Sequence, residues 1–202
     1  PMGVYTSITA EEIKTHLEGY DLGELDYFEA ITEGIENSNY LISTRRLDHE
    51  FLSILTLVEG NNAAKVSEVS AVMKHLAHYG LPIPNPRQSR VTDRHPDLQG
   101  KPTLLMVKLP GAHLNTVSPE HCRQLGAMLG RFHTIATAYP FEIKNAFDSA
   151  WMEQALSTVK THLSESETSR LYATIDRYQE LESSNLPQGL IHGDLFKDNI
   201  LF

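Results

Sequence analysis

Several features that define common protein classes are scarce in this sequence. Cys122 is the one cysteine among 202 residues, so no internal disulfide can form and the chain fits a reducing cytosol. No apolar run approaches the roughly 18 residues that a membrane span requires, and the first residues lack a signal-peptide pattern. Positive charge is also scarce, because 17 Lys and Arg stand against 26 Asp and Glu. The resulting charge of −9 argues against nucleic acid or an anionic membrane as a partner. We therefore expect a cytoplasmic protein.

The composition is otherwise that of an ordinary globular chain. Hydrophobic residues make up 41% and charged residues 21% of the sequence, which is typical of folded soluble domains. The length allows one good core or two small lobes. The sequence gives no indication of the oligomeric state.

The most informative stretch closes the chain, where His192, Asp194 and Asn199 stand between two apolar runs. The order His-x-Asp followed by Asn is that of a kinase catalytic loop. In such a loop the Asp accepts the proton of the attacking hydroxyl, and the Asn holds a magnesium ion that neutralises the triphosphate. We interpret the stretch as a phosphoryl-transfer loop and predict short buried strands over 189–191 and 200–202. The alternative is a surface turn that carries these residues by chance.

Hydrophobic periodicity predicts strands and one long helix through the first half of the chain. Thr9 and Glu12 form a capping-box pattern at the start of a short helix. A polar turn over 34–39 joins the first two strands as a hairpin. The predicted strands are 25–31, 40–44, 51–59 and 103–109, and the long helix is 63–79.

Three segments of this half are candidates for nucleotide binding. In a kinase-like lobe the hairpin turn covers the ATP phosphates with backbone N–H groups and small side chains, although an ordinary hairpin explains the pattern as well. The third strand carries Thr56 where protein kinases have a phosphate-binding lysine. The last strand ends in a segment whose backbone would hydrogen-bond adenine, and a plain edge strand is the alternative. The candidate residues are Gly34, Glu36, Asn37, Ser38, Asn39, Thr56, Val107, Lys108 and Leu109.

The second half reads as helices leading to the closing loop. Ser118 and Pro119 are typical of a helix start, and two further helices are predicted over 150–156 and 166–181. Strands with one helix, then a hinge, then helices indicate an α+β protein of the protein-kinase-like type. We predict two lobes: an ATP-binding lobe with a small antiparallel sheet over 1–109, and a mainly helical lobe over 110–202.

With Gly193 in place of the kinase arginine, the closing loop resembles that of the aminoglycoside phosphotransferase and choline kinase superfamily of small-molecule kinases. More narrowly, the sequence is similar to the bacterial homoserine kinases of that fold. Thr56 in place of the strand lysine is also typical of that subfamily. The similar stretches are 20–23, 34–40, 55–59, 78–84, 125–133 and 192–202.

This resemblance implies ATP-dependent phosphorylation of the hydroxyl of L-homoserine, a step toward threonine, with ATP and Mg²⁺ as cofactors. Asp194 would be the catalytic base, His192 would brace the loop and Asn199 would bind magnesium. The turn 34–39 would cover the phosphates, and Val107–Leu109 would hold adenine.

The resemblance also implies a second magnesium-binding Asp beyond Phe202. We therefore expect the second lobe to be incomplete and the 202-residue chain by itself to be nearly inactive. Two alternatives remain open: a kinase of the same fold for an aminoglycoside, choline or a sugar, and a nucleotide-binding module without catalytic activity.

Overall fold

A computed structural model describes residues 4–32, 36–60, 62–90, 96–182 and 184–202 of the chain. The chain divides into two compact units, one formed by Pro1–Ile135 with His192–Phe202 and the other by Ala136–Ile191. The lobe boundary after Leu109 stays a prediction. None of the helices in the described ranges is long and apolar enough to cross a membrane.

A five-stranded antiparallel sheet forms the centre of the larger unit. Its strands lie in the order β1-β2-β3-β5-β4, and every neighbouring pair is antiparallel. The four longer predicted strands are confirmed within two residues at each end. The two-residue strand β4 was not among the predicted strands, because so short a strand leaves no alternation to detect. The strands are β1 (Glu24–Ile31), β2 (Ser38–Arg46), β3 (His49–Leu57), β4 (Asp97–Leu98) and β5 (Lys101–Val107).

One face of the sheet packs against helix α1 (Ala10–Leu17) and forms the core. The predicted capping box is present, since the Thr9 hydroxyl and the Glu12 side chain each bond the backbone N–H of the other residue. The helix buries Ile13 and Leu17, whose apolar spacing places them on one side. The sheet contributes buried side chains that alternate along its strands, namely Tyr40, Ile42, Leu55, Leu57 and Leu105.

The opposite face carries the residues between these core positions, because successive side chains of a strand point to opposite sides. Asn39, Thr56 and Leu104 lie side by side across β2, β3 and β5 on this face. Helix α2 (Ala63–His78) contacts β5 and begins at Asn62, whose side chain accepts the N–H of Lys65 at 3.0 Å.

The remaining helices match the predicted ones. Helix α3 (Pro119–Ala136) begins after Ser118, whose backbone N–H donates to His121 Nδ1 while its hydroxyl accepts the His121 N–H. In the smaller unit, α4 (Ser149–Val159) and α5 (Glu165–Glu182) pack together. A hydrogen bond of 2.7 Å from Ser149 Oγ to Glu182 joins them.

The buried strands predicted on either side of the closing loop are wrong. Residues 189–191 and 200–202 have no strand conformation, and Ile191 is 68% exposed. A strand requires a neighbour that satisfies its backbone groups along its length. Here Phe202 alone exchanges two backbone hydrogen bonds, both with Ala112.

His16 is a buried titratable residue within the core of the larger unit. Thr103 Oγ1 donates to the carbonyl of Pro96 at 2.6 Å, so it can only accept from His16 Nε2, which lies 3.3 Å away. His16 Nδ1 is buried and has no hydrogen-bond partner among the described residues. Burial lowers the pKa of His16 to about 4, because a second ring proton would remain buried and unpaired.

The fold predicts different costs for alanine at two glycines of similar backbone conformation. Gly23 and Gly80 have φ angles of 81° and 75°, yet an added Cβ would lie 2.1 Å from the Arg45 carbonyl oxygen at Gly23 and would meet nothing within 4 Å at Gly80. We expect Gly80→Ala to lower the free energy of unfolding by about 1 kcal/mol and Gly23→Ala by at least about 2 kcal/mol more. Urea denaturation of the full-length variants measures both. Equal losses would contradict the backbone contact at Gly23.

The lowered pKa of His16 predicts that the folded protein loses stability in mild acid. The pKa of His16 is lower in the folded chain than in the unfolded chain, so the unfolded chain binds more protons between the two values. The stability that neutral His16 contributes is therefore fully present above the unfolded pKa near 6.5, and it is lost as the pH falls toward 4. We expect about 2 kcal/mol less stability from this residue at pH 5 than at pH 7. Urea denaturation at both pH values checks this, with His16→Gln as the control that lacks the titrating group. An identical pH dependence in that variant would refute the assignment to His16.

Candidate functional site

The loop over 192–199 joins its predicted catalytic residues through direct hydrogen bonds. Asn199 lies at the end of a 3₁₀ turn over Lys197–Asn199, and its backbone N–H donates to Phe196 O at 3.0 Å. Its side-chain Nδ2 donates to Asp194 twice, to the carbonyl oxygen at 2.7 Å and to carboxylate Oδ2 at 3.0 Å. The turn therefore fixes the amide of Asn199 against the carboxylate of Asp194.

His192 and Gly193 shape the other side of the loop. The backbone N–H of Asp194 donates to His192 Nδ1 at 3.3 Å, which leaves the proton of the neutral ring on Nε2. Gly193 has a left-handed φ of 80°, a conformation that glycine adopts without steric cost. This backbone turn accounts for glycine at the position where protein kinases have arginine.

Two oxygen atoms of this loop are available to a ligand. Asp194 and Asn199 are both exposed, and in the described part of the chain neither Asp194 Oδ1 nor Asn199 Oδ1 has a hydrogen-bond partner. A carboxylate oxygen can accept a proton, and carboxylate and amide oxygens together suit a hard cation such as Mg²⁺. The arrangement can therefore orient a hydroxyl and hold a divalent cation.

The described part of the predicted phosphate turn, residues 36–39, meets the end of β3. Thr56 Oγ1 donates to Asn39 Oδ1 at 2.7 Å, since the two residues are paired across β2 and β3. The backbone N–H of Glu59 donates to Asn37 Oδ1 at 3.2 Å. Glu36 is exposed, and Gly34 lies outside the described residues.

Ser38 differs from its neighbours because its side chain is fully buried. The Ser38 hydroxyl accepts the N–H groups of Tyr5 and Thr6 at 2.8 and 2.9 Å and donates to Glu59 Oε1 at 2.5 Å. The carboxylate of Glu59 also accepts from Thr6 and forms an ion pair with Lys101. The Ser38 hydroxyl is thus fully engaged within the protein and is not free to bind a phosphate.

Several hydrogen bonds fix the charge state of this buried cluster. Burial alone would raise the pKa of Glu59, but hydrogen bonds from Lys101, Ser38 and Thr6 and the charge of Lys101 hold it below its ordinary value. Glu59 is therefore a carboxylate at neutral pH, and the ammonium group of Lys101 balances its charge. The sequence interpretation missed this pair, and an acidic residue at the end of the predicted strand 51–59 was its one visible signal.

The predicted hinge has few backbone N–H donors left for a ligand. The N–H of Val107 donates to Asn85 O at 2.9 Å, and that of Lys108 donates to Leu52 O at 3.1 Å. The N–H of Leu109 has no partner among the residues that the structure describes. An adenine ring would therefore find its backbone donor at Leu109.

The structure thus joins predicted residues into two hydrogen-bonded groups. Asp194 is joined to His192 and Asn199, and Asn39 is joined to Thr56. Within the described ranges, none of these hydrogen bonds connects the catalytic loop to the phosphate turn or to the hinge.

Comparison with known proteins gives the relatives of the chain. The homoserine kinase of Methylobacillus flagellatus is 32% identical over 200 residues, which cover 99% of this chain and 61% of that protein. The homoserine kinase of Neisseria meningitidis serogroup B is 33% identical and is covered to 64%, again with 99% of this chain. The chain therefore spans about three fifths of the length of these relatives.

Solved structures show the same fold at low sequence identity. A spectinomycin phosphotransferase crystallised with ADP and spectinomycin has a TM-score of 0.63 and 14% identity, over 98% of this chain and 66% of that one. Choline kinase from Cryptosporidium parvum has a TM-score of 0.61 and 16% identity, over 96% of this chain and 61% of that one. The predicted α+β kinase-like fold is confirmed.

Residues 28–202 match the phosphotransferase enzyme family. This match contains β2 to β5 entirely, the described helices after α1, and the loop in which Asp194 is bonded to Asn199. The resemblance inferred from the sequence is confirmed: the chain belongs to the phosphotransferase enzyme family.

Proposed function

We propose that the protein phosphorylates the hydroxyl of L-homoserine with ATP, a step toward threonine. The observation that carries the proposal is the pair of hydrogen bonds from Asn199 Nδ2 to the carbonyl and carboxylate oxygens of Asp194. The substrate rests on the homoserine kinases that match 99% of the chain. Because the chain spans about three fifths of those relatives, the activity is proposed for the full-length protein.

Asp194 is proposed as the base that orients and deprotonates the hydroxyl. The Asn199 amide holds carboxylate oxygen Oδ2, so Oδ1 is the atom left to receive the substrate proton. The hydrogen bond from Asp194 N–H to His192 Nδ1 limits the movement of the backbone on the N-terminal side of Asp194. His192 is therefore proposed to brace the loop, without contact to the reacting atoms.

The oxygen donors of the loop fit a magnesium ion. Asn199 Oδ1 is turned away from the amide nitrogen that binds Asp194, and Mg²⁺ prefers oxygen ligands of this type. When bound, Mg²⁺ neutralises charge on the phosphates of ATP. Asn199 would therefore link the cation to the base within one rigid turn.

The sheet face opposite the core is proposed to hold the nucleotide. Asn39 and Thr56 offer polar groups at one end of this face, and half-buried Leu41, Ile54 and Met106 continue it across β2, β3 and β5. Apolar side chains beside a few polar groups are typical of small-molecule and cofactor sites. We assign the phosphates to the backbone of residues 36–39 together with Thr56, and adenine to the end of β5 with Leu109.

Replacement of Asp194 tests the chemistry. We expect Asp194→Ala in the full-length protein to lower kcat for homoserine-dependent ADP release by at least about a hundredfold, because the general base is lost. Asp198→Asn is the matched control, since Asp198 is an exposed carboxylate of the same loop, in its 3₁₀ turn, and should keep kcat within about twofold. Unchanged turnover in Asp194→Ala would eliminate it as the base.

A substrate panel tests the acceptor. ADP release by the full-length protein is measured with homoserine, choline, serine and an aminoglycoside, and we expect the highest kcat/KM with homoserine. A preference for another acceptor would support a different kinase of the same fold. ATP binding without turnover on any acceptor would support a nucleotide-binding module.

A further inference from the structure

We infer that Glu59 is a positioning residue for the phosphate turn, residues 36–39, and thereby sets the affinity for ATP. This inference rests on the proposed function. Glu59 lies two residues after β3 ends at Leu57 and bonds both Asn37 and Ser38, the two residues of the turn that precede Asn39.

The side chain of Glu59 holds the turn from the core side of the sheet. Its Oε1 accepts from the buried Ser38 hydroxyl at 2.5 Å, and the same hydroxyl accepts the N–H groups of Tyr5 and Thr6. Ser38 thus has every hydrogen-bonding capacity of its hydroxyl used. The start of β2 cannot shift without breaking several buried hydrogen bonds.

The backbone of Glu59 forms a further hydrogen bond with the turn. Its N–H donates to Asn37 Oδ1 at 3.2 Å, while Thr56 holds Asn39 at 2.7 Å three residues earlier on the same segment. The side chains of Asn37, Ser38 and Asn39 are therefore each bonded to the segment that includes the end of β3. These bonds leave one conformation for the entry into β2.

The surroundings of Glu59 keep its carboxylate charged and fixed. Lys101 forms an ion pair with Glu59 and also bonds the Thr6 hydroxyl, and Thr6 Oγ1 donates to Glu59 Oε1 at 2.8 Å. The Glu59 side chain is only 16% exposed. A largely buried carboxylate with three protein donors, Thr6, Ser38 and Lys101, is suited to hold structure, and neither of its oxygens is left without a protein partner.

Positioning at this point matters because backbone N–H groups bind phosphate only in a fixed geometry. A displacement of about 1 Å in a binding group can cost up to two orders of magnitude in activity. Since Asn39 and Thr56 share the proposed phosphate site, loosening Ser38 should weaken the binding of ATP and leave the acceptor site unaffected.

The test uses Glu59→Gln and Ser38→Ala in the full-length protein. We expect each variant to raise the Kd and KM for magnesium-ATP about tenfold while the KM for homoserine stays within about twofold. Titration calorimetry gives Kd, steady-state ADP release gives both KM values, and thermal melting reports whether each variant is folded. If Glu59→Gln does not fold, Ser38→Ala carries the comparison.

The chain offers a matched control at the opposite end of the same strand pair. Glu50 Oε1 accepts from the buried Ser43 hydroxyl at 2.9 Å, near the hairpin that joins β2 to β3. Glu50→Gln removes a comparable carboxylate that is remote in register from the turn. We expect it to leave the Kd and KM for magnesium-ATP within about twofold of the parent.

Three outcomes would overturn the inference. An unchanged Kd for magnesium-ATP in folded variants would show that the turn does not depend on Glu59, with the proposed function intact. An equal rise in the KM for ATP and homoserine would indicate general loosening of the fold. Failure of the unsubstituted full-length protein to bind magnesium-ATP would overturn the proposed function together with the inference.

Discussion

The antiparallel pairing of β2 with β3 is the constraint on which the larger unit depends. Its register places Ser38 opposite Leu57 and Asn39 opposite Thr56, so core residues and candidate ligand residues alternate along the same two strands. A slip of one residue would exchange the two faces. It would expose Tyr40 and Leu55, which are 3% and 1% exposed, and bury the polar pair. The core packing that stabilises the sheet therefore also orients the proposed nucleotide site.

Two carboxylates of this unit, Glu59 and Asp194, lie in different surroundings. Glu59 lies between Lys101, Ser38 and Thr6 and has each oxygen bonded to protein. Asp194 is exposed and has one oxygen held by Asn199. If Glu59 were separated from its partners, its charge would be poorly solvated. Asp194, in contrast, can accept a proton or approach a cation. The same chemical group thus serves structure in one place and is suited to chemistry in the other.

The catalytic loop depends on local bonds more than on burial. Asn199 reaches Asp194 across five residues through a single 3₁₀ turn, and Gly193 supplies a left-handed backbone just before the carboxylate. The loop remains exposed while its central pair is fixed. This arrangement is consistent with a site that must admit a substrate hydroxyl and a hydrated cation but still hold its base in one orientation.

The sequence by itself determined the local features. Thr9 begins a helix that its side chain caps, periodicity located four strands, and spacing singled out Asp194 and Asn199 as candidate site residues. Each depends on residues close together in the chain. Only the tertiary structure showed that Ser38 is buried and that Lys101 pairs with Glu59 across 42 residues. It also showed that the apolar residues 200–202 form no strand. Burial and strand pairing depend on partners distant in sequence, and a local pattern does not specify them.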